Sequence, residues 1–92
     1  MRVIWSPAAL RQVARAFDYL TDFNPGAAVQ LLDGLIAAGD SLAQFPHRGR
    51  PVPGSNLREL VTAYPYIVRY RIVRGTVRIL RVRHTSRRPT SR

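Results

Sequence analysis

There is no cysteine and no lysine in these 92 residues, and only five side chains are acidic. The missing cysteine removes disulfides, thiolate nucleophiles and cysteine-based zinc sites at once, and no metal or cofactor is expected. A domain this small is seldom secreted without such staples, so a cytoplasmic protein is expected. Long apolar runs are missing as well. Arg interrupts the hydrophobic stretches, and Met1-Arg2-Val3-Ile4-Trp5-Ser6-Pro7 has neither the apolar run nor the cleavage site of a signal peptide. Nothing in the pattern spans a membrane. The length suffices for one core and is too short for two, so residues 1–92 are read as one domain.

Arginine is what the chain has in excess. All fifteen basic residues are Arg, giving a formal net charge of +10. A GC-rich genome would explain Arg in place of Lys, but not where the Arg fall. Residues 1–46 carry three Arg and four Asp, whereas 47–92 carry twelve Arg and one Glu, so the halves sum to −1 and +11. A field this lopsided attracts phosphate backbones or an acidic protein, and it destabilises the free chain by self-repulsion.

Arg2–Trp5 is a β-prone run that stops at Ser6-Pro7, a cap followed by a first-turn proline. Leu10, Val13, Ala14, Phe17 and Leu20 then recur at helical spacing, with Arg11, Gln12, Arg15 and Asp18 left to face water, as far as about Asp22. Asn24-Pro25 repeats the signal. Ala28, Leu31, Leu32, Leu35, Ile36 and Leu42 mark a second amphipathic helix to about Ala43, and the short connection makes the two an antiparallel hairpin. Residues 46–56 hold three Pro and two Gly and read as a basic loop. Leu57–Ala63, Tyr66–Val73 and Thr76–His84 read as strands, the last two joined by the two-residue turn Arg74-Gly75. Residues 85–92 read as a polar, frayed tail. The order is β-α-α-β-β-β: an α+β fold with a helical hairpin on one face of a mostly antiparallel four-stranded sheet.

If Val73 pairs with Thr76 across that turn, strand parity sorts the side chains. Tyr66, Val68, Tyr70, Ile72, Val77 and Ile79 form an apolar face for the helices, with Arg81 and Arg83 at its far end. Ile67, Arg69, Arg71, Val73, Thr76, Arg78, Leu80, Val82 and His84 form the other face, where Arg71 directly opposes Arg78. Like charges so placed are unfavourable unless an anion covers them, which makes this a candidate binding surface. The bland alternative is a solvated face on which the Arg stems cover the sheet.

Four segments together resemble the RelE/ParE superfamily of toxins over nearly the whole chain. They are Val3-Ile4-Trp5-Ser6-Pro7-Ala8-Ala9; the loop Phe45-Pro46-His47-Arg48-Gly49-Arg50-Pro51-Val52-Pro53-Gly54; Leu57-Arg58-Glu59-Leu60 leading to Tyr64-Pro65-Tyr66-Ile67-Val68-Arg69-Tyr70-Arg71; and Val77-Arg78-Ile79-Leu80-Arg81-Val82-Arg83-His84 with Arg87-Arg88-Pro89. The resemblance implies a β-α-α-β-β-β toxin of a type II toxin–antitoxin module, held in a hetero-oligomer by an antitoxin whose binding segment is acidic. It implies one of two targets: the ribosome and its mRNA, cut by a RelE-like endonuclease that inhibits translation, or DNA gyrase, poisoned by a ParE-like toxin. Translation inhibition is the first expectation. A non-toxic nucleic-acid-binding module is the third reading, marked by salt-sensitive binding without an antitoxin.

An RNase of this kind needs a base, cationic clamps and an acid. The resemblance puts Arg58 at a phosphate-stabilising position and offers Arg81 or Arg83 from the last strand. It also puts His84 where some members carry a catalytic His or Tyr; His47 is a second candidate. The candidate catalytic residues are thus Arg58, Arg81 and His84, and the candidate nucleic-acid-binding residues are Arg48, Arg50, Arg69, Arg71, Arg78 and Arg83. The basic Lys of RelE-like toxins and the Glu of their YoeB-like relatives have no counterpart in the loop here, because Arg stays protonated and Glu59 lies on a strand, where it would pair with a nearby Arg. Tyr64, Tyr66 and Tyr70 could stack a base, but the spacing of Tyr66 and Tyr70 suits the core, as does Trp5 on the first strand. His84 likewise has a structural reading as the end of its strand.

Overall fold

A computed structural model describes residues 1–61 and 65–85; the expectations for Tyr64, for the strand end at 62–63 and for the tail over 86–92 lie outside these. The chain runs β1 (Arg2–Trp5), α1 (Pro7–Thr21), α2 (Pro25–Ser41), β2 (Arg50–Pro51), β3 (Leu57–Val61), β4 (Tyr66–Val73) and β5 (Thr76–His84). Both helices start as the sequence indicates. The Ser6 hydroxyl accepts the Ala9 N–H at 3.0 Å and the Asn24 side chain accepts that of Ala27 at 3.1 Å, each just ahead of a proline whose missing N–H is no loss there.

The buried stripes are made of smaller residues than the periodicity suggested. Ala9, Val13 and Ala16 face the core from α1, whereas Leu10 is 50% exposed. Ala28, Leu35, Ala38 and Gly39 do so from α2, and Ile36 is turned to solvent. Small side chains let the helices come close to the sheet. At Gly39 a Cβ would lie 2.7 Å from Trp5 Cη2 and closer still to Cζ2, so the indole ring occupies the space that glycine leaves. Tyr70, Leu35, Leu42, Ile79, Val68 and Val77 form the fully buried centre.

The sheet has five strands in the order β1-β5-β4-β3-β2, with β1 parallel to β5 and the other pairs antiparallel. The expected count was four. The fifth is the two-residue β2, which pairs Arg50 with Glu59 and Pro51 with Arg58 inside the stretch read as loop. A proline is tolerated there because β2 is an edge strand. At the β4–β5 turn, Arg74 (φ 51°) and Gly75 (φ 74°) both adopt the left-handed conformation that a tight hairpin requires, and Val73 pairs with Thr76 as expected.

The register then slips once. Tyr70 pairs with Ile79, but Arg69 pairs with Arg81, so Leu80 is an extra residue in β5. Such a bulge advances the pleat by one and inverts the alternation beyond it. Two bonds from the start of α1 hold it: the Ser6 hydroxyl donates to the Leu80 carbonyl at 3.0 Å, and the Gln12 side-chain oxygen accepts the Val82 N–H at 2.7 Å. Gln12, expected to face water, is turned inward for this bond. As a consequence Val82 (3% exposed) and His84 turn toward the helices, while Arg81 and Arg83 join the opposite face, reversing the placement that plain alternation implied.

Candidate functional site: the open face of the sheet

Because of the bulge, the sheet face turned away from the helices collects more charge than the sequence suggested. Arg69 and Arg71 from β4, Arg78, Arg81 and Arg83 from β5, and Arg50 from β2 share it with Glu59. Arg71 opposes Arg78 and Arg69 opposes Arg81, two like-charged cross-strand pairs of the kind that destabilise a sheet. Glu59 is the one acidic residue outside the helical hairpin and its cap, since Asp18, Asp22, Asp33 and Asp40 all lie there.

Glu59 is 9% exposed. Arg69 donates to its Oε2 from Nε at 3.0 Å and also from Nη2; Arg83 Nη2 lies 3.7 Å from the same oxygen, and Arg50 Nη2 lies 3.9 Å from Oε1. Burial alone would raise the Glu59 carboxyl, but the hydrogen bond from Arg69 and the charges of Arg69, Arg83 and Arg50 outweigh it and hold the group below the usual carboxylate range. Among the described residues the ion pairs all end on Glu59. Among the described residues Arg71, Arg78 and Arg81 therefore face outward without a carboxylate, and the buried Nε of Arg71 has no hydrogen-bond partner.

The remaining candidates lie elsewhere. Arg58 sits on the helix side of β3, level with Tyr70, and its Nη1 donates to the Gly49 carbonyl at 2.7 Å with a longer contact of 3.4 Å to that of His47. It is a brace for the 46–50 loop. Tyr70 braces the same loop from beneath, since its buried hydroxyl donates to the Pro46 carbonyl at 2.7 Å and accepts the Gly49 N–H at 2.8 Å. The sequence placed Tyr70 in the core but gave no sign of this pair of hydrogen bonds. Arg48 donates to the Ser41 hydroxyl at 2.8 Å, and with His47 and Phe45 it lines a shallow depression at the end of α2. His84 packs edge-on against Tyr66, ring centroids 5.1 Å apart, in a cleft walled also by Gln12, Arg15 and Tyr19.

Of the catalytic candidates, then, Arg58 and His84 lie on the helix side of the sheet and Arg81 on the open side. Of the nucleic-acid-binding candidates, Arg50, Arg69, Arg71, Arg78 and Arg83 are brought together and Arg48 is not. Among the described residues no three His, Asp or Glu side chains gather as metal ligands would, and no helix is long and apolar enough to cross a membrane.

Comparison with known proteins gives a consistent picture. Residues 3–89 match the family described as ParE toxin of the type II toxin–antitoxin system parDE. The chain is 42% identical over 86 residues to Toxin RelE2 of Caulobacter vibrioides, covering 94% of this chain and 97% of that protein. It is 40% identical over 84 residues to Putative toxin Y4kP of Sinorhizobium fredii, covering 90% and 86%. Its fold superimposes on a chain of the chromosomal ParDE system of P. aeruginosa with a TM-score of 0.82 at 19% identity, covering 94% and 97%. With the two-helix, mixed-sheet architecture and a family match across nearly its full length, the chain belongs to the ParE toxins of type II toxin–antitoxin systems, within the RelE/ParE superfamily.

Proposed function

We propose that this toxin arrests growth by binding and poisoning DNA gyrase, and that a cognate antitoxin silences it with an acidic segment laid over the open sheet face. The observation that supports a binding rather than a cutting mode is the separation of Arg58 and His84 from Arg81 by the sheet itself. A general acid or base must reach the atoms it serves within hydrogen-bond distance. Arg58 is level with Tyr70 and His84 with Tyr66, which at about 3.3 Å per residue leaves them roughly 13 Å apart along the strand even on their shared side. The family match to ParE toxins points the same way.

The test is to express the chain without its antitoxin and to incubate the purified protein with gyrase, supercoiled DNA and ATP. The expected result is gyrase held on cleaved DNA, DNA-damage signalling in the cell and intact mRNA. Codon-spaced mRNA cuts on ribosomes, with supercoiling unaffected, would overturn it.

A RelE-like mRNA endonuclease is the second reading, favoured by the identity to a relative named Toxin RelE2. On that reading Arg58, Arg81 and His84 are the candidate catalytic residues. Arg58→Ala and His84→Ala would then each abolish cleavage in a folded protein, whereas a gyrase poison keeps its target activity with His84→Ala.

A further inference from the structure

The open sheet face holds more than a field. Arg71 and Arg78 are directly opposed, neither meets a carboxylate among the described residues, and the Nε–H of Arg71 is buried there without an acceptor. Two opposed guanidinium groups without a carboxylate call for an anion from outside the chain. A phosphodiester offers two free oxygens to two guanidinium forks, a geometry that arginine satisfies through paired N–H groups. Glu59 meanwhile engages Arg69 and Arg83, so it fixes the flank of the site and leaves its centre, Arg71 and Arg78 with Arg81 nearby, cationic.

We infer that this face is a duplex-DNA site in which Arg71 and Arg78 together seat one backbone phosphate. The inference rests on the gyrase reading, which supplies a duplex at the place where the toxin works. Two features favour a duplex over the other polyanions. Single-stranded RNA is gripped by stacking its bases on aromatic side chains. The described aromatic residues of the sheet, Trp5, Tyr66 and Tyr70, all pack toward the helices, so the open face presents no stacking platform among the described residues. The cations also repeat every second residue along adjoining strands, Arg69 with Arg71 and Arg81 with Arg83, at steps of about 6.6 Å. Such a row matches the even spacing of a phosphate backbone, while a short antitoxin segment can cover the same face by adding apolar anchors to its carboxylates. Binding through phosphates carries no sequence preference and falls steeply with salt.

The experiment is a titration of the purified full-length chain against a labelled DNA duplex, a single-stranded RNA and a polyglutamate peptide at several salt concentrations, without gyrase. The duplex is expected to bind more tightly than either competitor. In the Arg71→Ala/Arg78→Ala variant the slope of log K against log salt should shrink by about 1, the one phosphate lost, and affinity should fall by at least about tenfold. Arg78→Ala alone, at an exposed position, leaves Arg71 on the phosphate, so it should weaken binding with a smaller change of slope, and it serves if the double variant does not fold. Arg11→Ala/Arg15→Ala removes the same charge from α1 and should leave the slope unchanged. Equal losses in the two double variants, or tighter binding to the RNA or the peptide than to the duplex, would overturn the inference. Because gyrase is absent, DNA binding without gyrase poisoning sinks the proposed function alone, and poisoning without DNA binding sinks this site alone.

Discussion

Glu59 and Arg69 stand directly opposite each other on β3 and β4, and Arg69 donates to a single carboxylate oxygen from two of its nitrogens. One strand over, the same Arg69 faces Arg81, and Arg71 faces Arg78. The open face thus joins one charge-compensated ladder rung to two uncompensated ones. The carboxylate is the internal counter-ion that lets so many guanidinium groups share one sheet.

Removing that counter-ion should destabilise the fold. Glu59→Gln is expected to cost roughly 2 kcal/mol, because Arg69 loses its ionic partner while Arg83 and Arg50 keep their mutual repulsion. The effect should depend on pH. A carboxyl held below its ordinary value of 4.5 stabilises the folded chain above that pH and loses the contribution as pH falls through the folded value. The gap between wild-type and Glu59→Gln urea midpoints should therefore be full at about pH 7 and narrow as pH falls below 4.5. A gap that persists unchanged at low pH would exclude an ionic origin.

Tyr70→Phe keeps the ring and removes only the hydroxyl that ties Pro46 and Gly49 together. Leaving a buried N–H and carbonyl without that partner should cost about 1–3 kcal/mol. At roughly 4–8 °C per kcal/mol for a domain of this size, calorimetry would register a clear fall in melting temperature. A melting temperature within error of wild type would show that water replaces the bond at no loss.

Arg58→Ala separates a brace from a clamp. Its bonds to the Gly49 and His47 carbonyls lead us to expect faster amide exchange over residues 46–50 and a loss of about 1 kcal/mol, with the open sheet face unaltered. Unchanged exchange in that loop would show that the arginine does not hold it.

Gly39→Ala should destabilise despite the better helix propensity of alanine. The new methyl would meet Trp5 Cη2 at 2.7 Å and Ile79 Cδ1 at 2.9 Å, and overpacking of this kind costs about 1–3 kcal/mol against a propensity gain of about 1 kcal/mol. Quenched or shifted Trp5 fluorescence should accompany it. A more stable variant would mean that the indole has room to move.

Much of this was legible in the residues. Ser6-Pro7 and Asn24-Pro25 announced both helices, and Arg74-Gly75 fixed the β4–β5 hairpin, because these positions have few conformational options. The helix stripes were rotated from expectation since counting large apolar residues misses how alanine and glycine permit close approach, as at Gly39 over Trp5. β2 was hidden by Pro51 and the prolines that flank it. The bulge carried a faint sign, the adjacent aliphatic pair Ile79-Leu80 in a strand that otherwise alternates with Arg, but no glycine or proline marks it. The candidate site suffered accordingly. Its Arg cluster was foreseen around Arg69, Arg71 and Arg78, while the sides taken by Arg81, Arg83 and His84 depended on that one extra residue.

Leu80 makes β5 sensitive to length in a way it is not to identity. Deleting this residue would close the bulge and leave Arg81, Val82 and Arg83 on their present faces in plain alternation, whereas inserting one residue after it would rotate Arg81 and Arg83 beneath α1, bringing two cations into an oily interior and exposing Val82 to water. Replacing it with another aliphatic side chain would disturb little. The last strand of this toxin can accept point changes at position 80 far more readily than an added residue beyond it.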